Sequence, residues 1–372
     1  MIPAPTLATT RLDHIAANLA AIRRRVGERQ VLVAVKANAY GHGAVEVSRH
    51  LQQTGSADAL GVATVAEGVE LRQAGITLPI LKLSVARGAE VEVAAAHDLA
   101  QVAIDELSIV EAGAAGVATG HEVGLHLKVD TGMRRIGCEP EDAARLAALI
   151  RDTPGVRLLG VMSHLPVSDV PEGREFTIAE IARFREIAER VEAVSGPLVK
   201  HLANSGGVLA YPDSWFDLVR PGVMVYGSYP DDASPRTVEL LPALEWRSRV
   251  TFVKPVRAGE TVGYGRTWSA PADTWVATVA VGYGDGYSRA LSNRGRMLVN
   301  GIAYPIAGRV SMDQTVIDIG PDPVVAIGDE AVLIGRSGDL EITAAELAAL
   351  QGTISYEVTC AIGQRIAREY RA

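Results

Sequence analysis

Five clusters of polar residues close apolar runs in this sequence, and together they suggest chemistry. Lys36 ends VLVAVK, and Lys128 stands near the end of VGLHLKV, followed by Asp130-Thr-Gly-Met-Arg-Arg135. Ser163-His164 ends LLGVMSH, His201 lies in LVKHLAN ahead of Asn204-Ser205-Gly206-Gly207, and Arg220-Pro221-Gly222 ends WFDLVRPG. A lysine at the end of an apolar strand suits a Schiff base, because desolvation lowers its pKa and frees the amine to attack a carbonyl. Ser-Gly-Gly and Arg-Pro-Gly turns ahead of helix starts expose backbone N–H groups that suit a phosphate. Each feature alone has a plainer reading: a solvated lysine, a structural histidine, a turn with its helix cap. As a set they would have to converge on one face by accident. Aldehyde plus phosphate points to pyridoxal phosphate, while a sugar-phosphate aldolase would use the same groups. Residue types alone leave both open.

The elements that must position these residues follow from the apolar pattern. Strands are expected at 31–36, 59–64, 79–84, 99–104, 123–129, 158–164, 198–204 and 215–222. Alanine-rich stretches with helical spacing lie between most of them: Glu67 to Ala74, Ala86 to Ala96, Glu139 to Arg151 and Arg174 to Val194. Eight strands alternating with helices predict a (β/α)8 barrel, an α/β fold that carries its chemistry at the C-terminal strand ends. The seventh connection, SGGVLAYPDS, leaves room only for a short helix. Past Gly227 the texture changes to short alternating runs cut by Gly pairs, with one clear helix at Thr343 to Leu350. The expected division is a barrel over 9–235 and a mainly-β domain over 236–372, with 1–8 pairing into the latter.

Composition narrows the class. Of 372 residues 48% are apolar and 22% charged, with a net charge of −8, so the field disfavours nucleic acid and anionic lipid. Two cysteines, Cys138 and Cys360, exclude a disulfide scaffold and a cysteine-rich metal site. The N-terminal stretch does not read as a secretory signal, and no apolar run approaches the roughly 20 residues of a membrane span. No metal is expected, and a cytoplasmic location is.

AVKANAYGHG around Lys36 resembles the coenzyme-binding signature of alanine racemases. LKVDTGMRRIG (127–137), HLANSGG (201–207), VRPGVMVYG (219–227), VGYGRTW (262–268), VGYGDGYSR (281–289), GRVSMDQTVID (308–318) and ISYEV (354–358) are similar to further segments of that family and follow its order. The resemblance implies that Lys36 holds pyridoxal 5′-phosphate as a Schiff base. It implies that Tyr40, Ser205 and Tyr356 bond the phosphate, together with the backbone of Gly222 and Val223. Arg220 would face the pyridine nitrogen, with His164 donating to or orienting it. Arg135 would bond the Tyr264 phenol and help fix the substrate carboxylate, which the Met312 backbone binds beside Asp313. Tyr283 would line the substrate entrance, and Lys128 is a candidate for carbamylation.

Racemisation removes a proton from one face of Cα and returns it on the other, which two groups on opposite faces do most simply. The resemblance assigns Lys36 to one face and Tyr264 to the other. It also implies a head-to-tail homodimer with shared sites and a role in supplying D-alanine for peptidoglycan. Some positions depart from the pattern: Pro166 in SHLPVSD, Ser311 before Met312, the tail TCAIGQRIAREY and the charged Lys82 inside the third strand. They leave open a broader amino-acid racemase acting on serine. A pyridoxal-phosphate decarboxylase of the same fold, a barrel-only coenzyme carrier and a Schiff-base aldolase also stay open.

Overall fold

The computed structural model describes residues 4–372. The eight apolar runs form parallel strands at Gln30–Ala34, Ala59–Val62, Ile80–Lys82, Leu99–Ala103, Val123–Lys128, Val156–Met162, Val199–His201 and Leu218–Val219. They pair in chain order, and the first strand also pairs with the last through Gln30–Leu218 and Val31–Val219. Backbone bonds from Asp217 N to Lys200 O (3.1 Å) and Arg220 N to Ala203 O (2.9 Å) close the gap between seventh and eighth strands. The expected (β/α)8 barrel is therefore the observed one.

Leu32, Leu81, Val102, Met162 and Leu218 form one buried cluster. They come from the first, third, fourth, sixth and eighth strands, which can meet only across a barrel interior. A larger cluster packs strand residues such as Leu125, Leu127 and Val161 against Ile109, Leu146, Ile150, Phe184 and Ile187 of the surrounding helices. Full burial of each such side chain contributes about 1.5–3 kcal/mol.

The apolar spacing does not single out two helices of this ring, Ala44–Thr54 and Glu106–Thr119. The second contains Gly113 and Gly116, which lower its helical propensity. Both are there for close approach: a Cβ on Gly116 would stand 1.9 Å from the carbonyl oxygen of Gly155. The seventh connection carries a six-residue helix, Ser205–Ala210, capped by the Asn204 side chain on Gly207 N at 3.0 Å. Lys82 ends the third strand buried, with Nζ donating to the carbonyls of Val85 (2.7 Å) and Ser84 (3.2 Å). Its charge is satisfied by the loop that follows.

The other unit is built on a nine-stranded sheet. Leu7–Arg11 lies antiparallel to Leu244–Val256 and parallel to Ala367–Arg371. Trp246 and Tyr287 meet edge-to-face, 5.8 Å between ring centroids, in its core. Besides the helix Ala344–Gln351 this unit has a second short one, Ser355–Cys360, that the apolar spacing does not reveal.

The division falls at different residues from those expected. Among the described residues, 4–13 and 242–372 belong to the β unit, and 14–39 with 44–241 to the barrel. Thr9 and Thr10 belong to the sheet strand. Residues 236–241 stay with the barrel: Thr237 Oγ1 donates to Leu209 O, and Asn18 is bonded to both backbone groups of Leu241. The segment Tyr40–Gly43 joins the β unit, where a Cβ on Gly41 would sit 2.0 Å from Thr359 O.

Candidate active site

Lys36 follows the first barrel strand closely, half-buried, and four left-handed residues come after it. Ala37, Asn38, Ala39 and Tyr40 have φ of 53–54°, which costs about 1–2 kcal/mol per L-residue. Tyr40 thus follows Lys36 by a turn of the opposite hand to an ordinary helix. Strain of this size persists only where the surroundings over-determine it. Ala39 N donates to Val35 O at 2.7 Å, and the Asn38 side chain accepts from Ala44 N at 2.8 Å.

At the same end of the barrel a guanidinium is fully enclosed. Arg220 is 5% exposed and donates to Ser163 O (2.6 Å), Leu202 O (3.1 Å), His201 Nδ1 (3.0 Å) and His164 Nδ1 (3.4 Å). An arginine has no acceptor, so both histidines must accept. The expectation that His164 could donate to Arg220 is therefore reversed. Burial brings the guanidinium down to about 9, and it is still charged at neutral pH.

The acceptor role of His201 fixes more than one tautomer. Its proton must sit on Nε2, which lies 2.8 Å from His126 Nδ1, so His126 is protonated on its own Nε2. Both rings are neutral: burial first, then Arg220, hold His126 down to about 4 and His201 well below its usual range. Burial and the nearby Arg220, Lys128, Arg135 and Lys36 do the same to His164. Lys128 is pushed down to about 7 by burial, then by Arg220, Arg135 and Lys36, with Asp130 opposing. Four cationic side chains thus converge on one barrel mouth.

Two turns beside them can receive an anion. Ser205 begins its helix buried, and its hydroxyl accepts from Gly222 N at 3.0 Å, just ahead of the 3-10 turn Val223–Tyr226. Gly206 is required by close packing, since a Cβ there would stand 2.6 Å from Ser168 Oγ. The Arg135 loop is shaped by Asp130 Oδ1, which accepts from Gly132 N (2.9 Å) and Arg134 N (3.0 Å). This donor set fits pyridoxal phosphate: convergent cations and backbone turns for the phosphate, a lysine for the aldehyde, a donor-only arginine for the ring nitrogen.

A second group of the expected residues lies on the β unit. Tyr264 sits on the turn between the strands Thr261–Val262 and Trp268–Ser269, and Gly263 and Gly265 supply the positive φ of 70° and 73°. Its side chain is 72% exposed, Met312 54% and Tyr283 43%. Tyr283 N and Gly284 N bond the carbonyls of Ser311 and Met312, joining the two loops. Arg365 holds the same loops, donating to Asp285 Oδ1 (2.7 Å) and Asp313 Oδ1 (2.8 Å). The Tyr40 and Tyr356 rings stand 5.8 Å apart, and burial pushes the Tyr40 phenol up.

Sequence reasoning missed several contributors. His126 was detectable, because it lies two residues before Lys128 on one strand and so shares its face. Thr131, which bonds Ser163 Oγ (2.7 Å) and Glu180 (3.0 Å), gave no such signal. Arg365 lies in the tail TCAIGQRIAREY, which sequence reasoning treated only as a departure from the family pattern.

Comparison with known proteins agrees with this geometry. The alanine racemase N-terminal domain profile matches residues 10–230, and the C-terminal domain profile residues 243–370. An alanine racemase of Cutibacterium acnes is 50% identical over 98% of both chains, and one of Chlorobaculum tepidum 41% over 96% of this chain and 93% of that one. The structure of alanine racemase from Clostridium difficile 630 superposes with a TM-score of 0.94 at 32% identity, covering 100% of this chain and 96% of the other. That from the D-cycloserine producer Streptomyces lavendulae gives 0.93 at 36%, covering 100% and 98%. With both halves of the chain matched in sequence and fold, this protein belongs to the alanine racemase family.

Proposed function

We propose that this protein interconverts L- and D-alanine with pyridoxal phosphate, using Lys36 and Tyr264 as acid–base groups on opposite faces of Cα. The observation that carries the reading is the convergence of Lys36, Lys128, Arg135 and Arg220 on one barrel mouth beside neutral histidines. When bound, the coenzyme supplies the electron sink that makes the α-proton of an amino acid removable. Ser205, Tyr40, Tyr356 and the N–H groups of Gly222 and Val223 would bind its phosphate, the Gly222 N–H exchanging its bond to Ser205 Oγ for one to the phosphate. Arg220 would donate to its ring nitrogen; with no lone pair to accept a pyridinium N–H, it would leave that nitrogen unprotonated and weaken the sink. We attribute to this a bias against protonation at the coenzyme, and so against transamination.

Lys36 moves the proton on one face. On the other, Tyr264 needs a cationic neighbour, because a phenol gives up its proton at neutral pH only where positive charge stabilises the phenolate. Arg135 serves that phenol and the substrate carboxylate, which the Met312 backbone also binds beside Asp313, while Tyr283 lines the entrance. Exposure of Tyr264, Tyr283 and Met312 supports a head-to-tail homodimer in which the β unit of one copy completes the barrel site of another. No helix among the described residues is long and apolar enough to cross a membrane. A cytoplasmic place supplying D-alanine to the cell wall fits that reading. The relatives named above favour neither a serine racemase nor a decarboxylase.

Incubation of the purified protein with separate L-amino acids in deuterium oxide tests the proposal. L-alanine is expected to become an equal mixture of enantiomers carrying α-deuterium, with Lys36→Ala inactive. Carbon dioxide release, or α-exchange on other amino acids but not alanine, overturns it.

A further inference from the structure

Glu67 is the third residue of the helix Val65–Gln73, which follows the second barrel strand, and there it has an evident local task. Its Oε2 accepts from Thr64 N (3.0 Å) and Ala63 N (2.7 Å), while Glu67 N donates to Thr64 Oγ1 at 3.2 Å. That is a capping box at the start of the helix Val65–Gln73. A capping box accounts for one carboxylate oxygen. The other, Oε1, accepts at 2.7 Å from Ala37 N, thirty residues away, in the peptide that leaves Lys36.

We propose that Glu67 is a positioning residue for Lys36: it clamps the Lys36–Ala37 peptide and thereby fixes the direction in which the lysine side chain leaves the backbone. This rests on the reading of Lys36 as the lysine that bears the coenzyme. The direction of the Lys36–Ala37 N–H depends on the ψ of Lys36. A charged acceptor on that N–H narrows ψ more than a neutral one would. The same bond ties down the first residue of the left-handed run Ala37–Tyr40, which has no intrinsic preference for that conformation. Because Oε2 is anchored to the second strand's loop, Glu67 transmits the rigidity of one strand end to the next. The amine must meet a carbon of fixed position, so a small loss of aim costs rate more than substrate affinity.

Three variants separate positioning from helix capping. Glu67→Ala removes both functions, Glu67→Leu does so while keeping side-chain volume, and Thr64→Ala removes the cap hydroxyl and leaves the Ala37 bond. Each is loaded with pyridoxal phosphate. The visible circular dichroism of the lysine-bound coenzyme, kcat, KM for alanine and Tm are then measured. For the Glu67 variants we expect altered visible dichroism and a kcat lower by about tenfold or more, with KM changed less than about threefold. Thr64→Ala should lower Tm with the dichroism and kcat of the wild type. A folded Glu67 variant with wild-type dichroism and kcat overturns the proposal. So does Thr64→Ala reproducing the dichroism and kcat changes, which would reduce Glu67 to a cap. If Lys36→Ala keeps the coenzyme covalently after borohydride reduction, the assignment of Lys36 is what has failed.

Discussion

Arg220 Nη1 lies 3.0 Å from His201 Nδ1, and the opposite nitrogen of that imidazole lies 2.8 Å from His126. The guanidinium only donates, so the relay has one proton arrangement: Arg220 to His201 to His126. Charging either ring would put a donor against a donor beside a buried cation. His126 is held down to about 4 against an ordinary 6.5. The unfolded chain therefore binds this proton first as pH falls. Stability from the neutral ring is complete above 6.5 and lost between 6.5 and about 4, on the order of 3 kcal/mol. Nitrogen NMR should show His126 and His201 as neutral Nε2–H tautomers throughout pH 5–8. Titration of either ring within that range would contradict the relay.

Replacement of Arg220 by glutamate reverses the charge that this relay orients. The new carboxylate would face the carbonyls of Ser163 and Leu202, both now acceptors for Arg220. We expect weaker coenzyme retention and a loss of about 3–5 kcal/mol in folding stability, the usual cost of disrupting a buried charge. In the fraction that keeps coenzyme, a carboxylate would keep the ring nitrogen protonated and strengthen the electron sink. Transamination per turnover, followed by pyruvate formation, should rise. No increase would refute the role assigned to the donor-only side chain.

Lys128 is held at about 7 rather than its ordinary 10.5, chiefly by burial and then by three neighbouring cations. A neutral amine is therefore abundant at pH 8. Between about 7 and 10.5 the unfolded chain binds the proton that the fold rejects, so stability from this group is lost as pH falls through about 7. We propose that the neutral amine attacks the carbon of carbon dioxide, forming an N–C bond and releasing a proton. The resulting carbamate would exchange a crowded cation for an anion beside Arg135. Carbon-13 NMR with labelled bicarbonate should show a carbamate that grows as pH rises through about 7 and is missing in Lys128→Ala. A wild-type protein without that resonance would sink the idea.

Lys36, Lys128, His164, His201 and Arg220 were legible in the sequence because each ends or immediately follows an apolar run, and a parallel barrel gathers such ends on one face. The helix Glu106–Thr119 was obscured by Gly113 and Gly116, whose purpose is a tertiary contact with Thr153–Gly155. The Tyr40–Gly43 excursion into the β unit was hidden for a similar reason: its left-handed turn depends on partners far away in sequence. Glu67 stood out only as the start of an amphipathic stretch, and only coordinates reveal that one of its oxygens caps the helix while the other holds Ala37 N. Tertiary hydrogen bonds between loops leave no periodic trace, so this support of the site was the least visible part.

Glu180 offers a further pH-dependent test. It is almost fully buried on the helix Arg174–Ser195, bonded to Thr131 Oγ1 through one oxygen, and its Oε2 meets no partner among the described residues. Burial pushes this carboxyl up to about 7, so the fold prefers it protonated. Its contribution is complete below the unfolded pKa of about 4.3 and disappears as pH rises through about 7. Glu180→Gln keeps the acceptor for Thr131 without the charge. Denaturant titrations should find the variant more stable than wild type by about 3 kcal/mol at pH 8 and nearly equal at pH 4. A constant difference across that range would show that the carboxyl does not titrate in the fold.

Shared sites make a sharper prediction than dimerisation alone. Lys36→Ala and Tyr264→Phe each remove one of the two proposed acid–base groups, so each pure variant should be nearly inactive. In the proposed head-to-tail arrangement, one site of a mixed dimer would receive Lys36 from the Tyr264→Phe chain and Tyr264 from the Lys36→Ala chain, and would be whole. The other site has lost both groups. Random assembly from equal amounts gives about half mixed dimers, each with one working site, hence about a quarter of wild-type activity. The recovery must develop at the rate of subunit exchange and saturate at that level. If instead each chain folded its own β unit onto its own barrel, every site would keep its single defect and mixing would restore nothing. Recovery therefore distinguishes exchange between copies from closure within one, and its absence in a demonstrably mixed dimer rules out the head-to-tail arrangement.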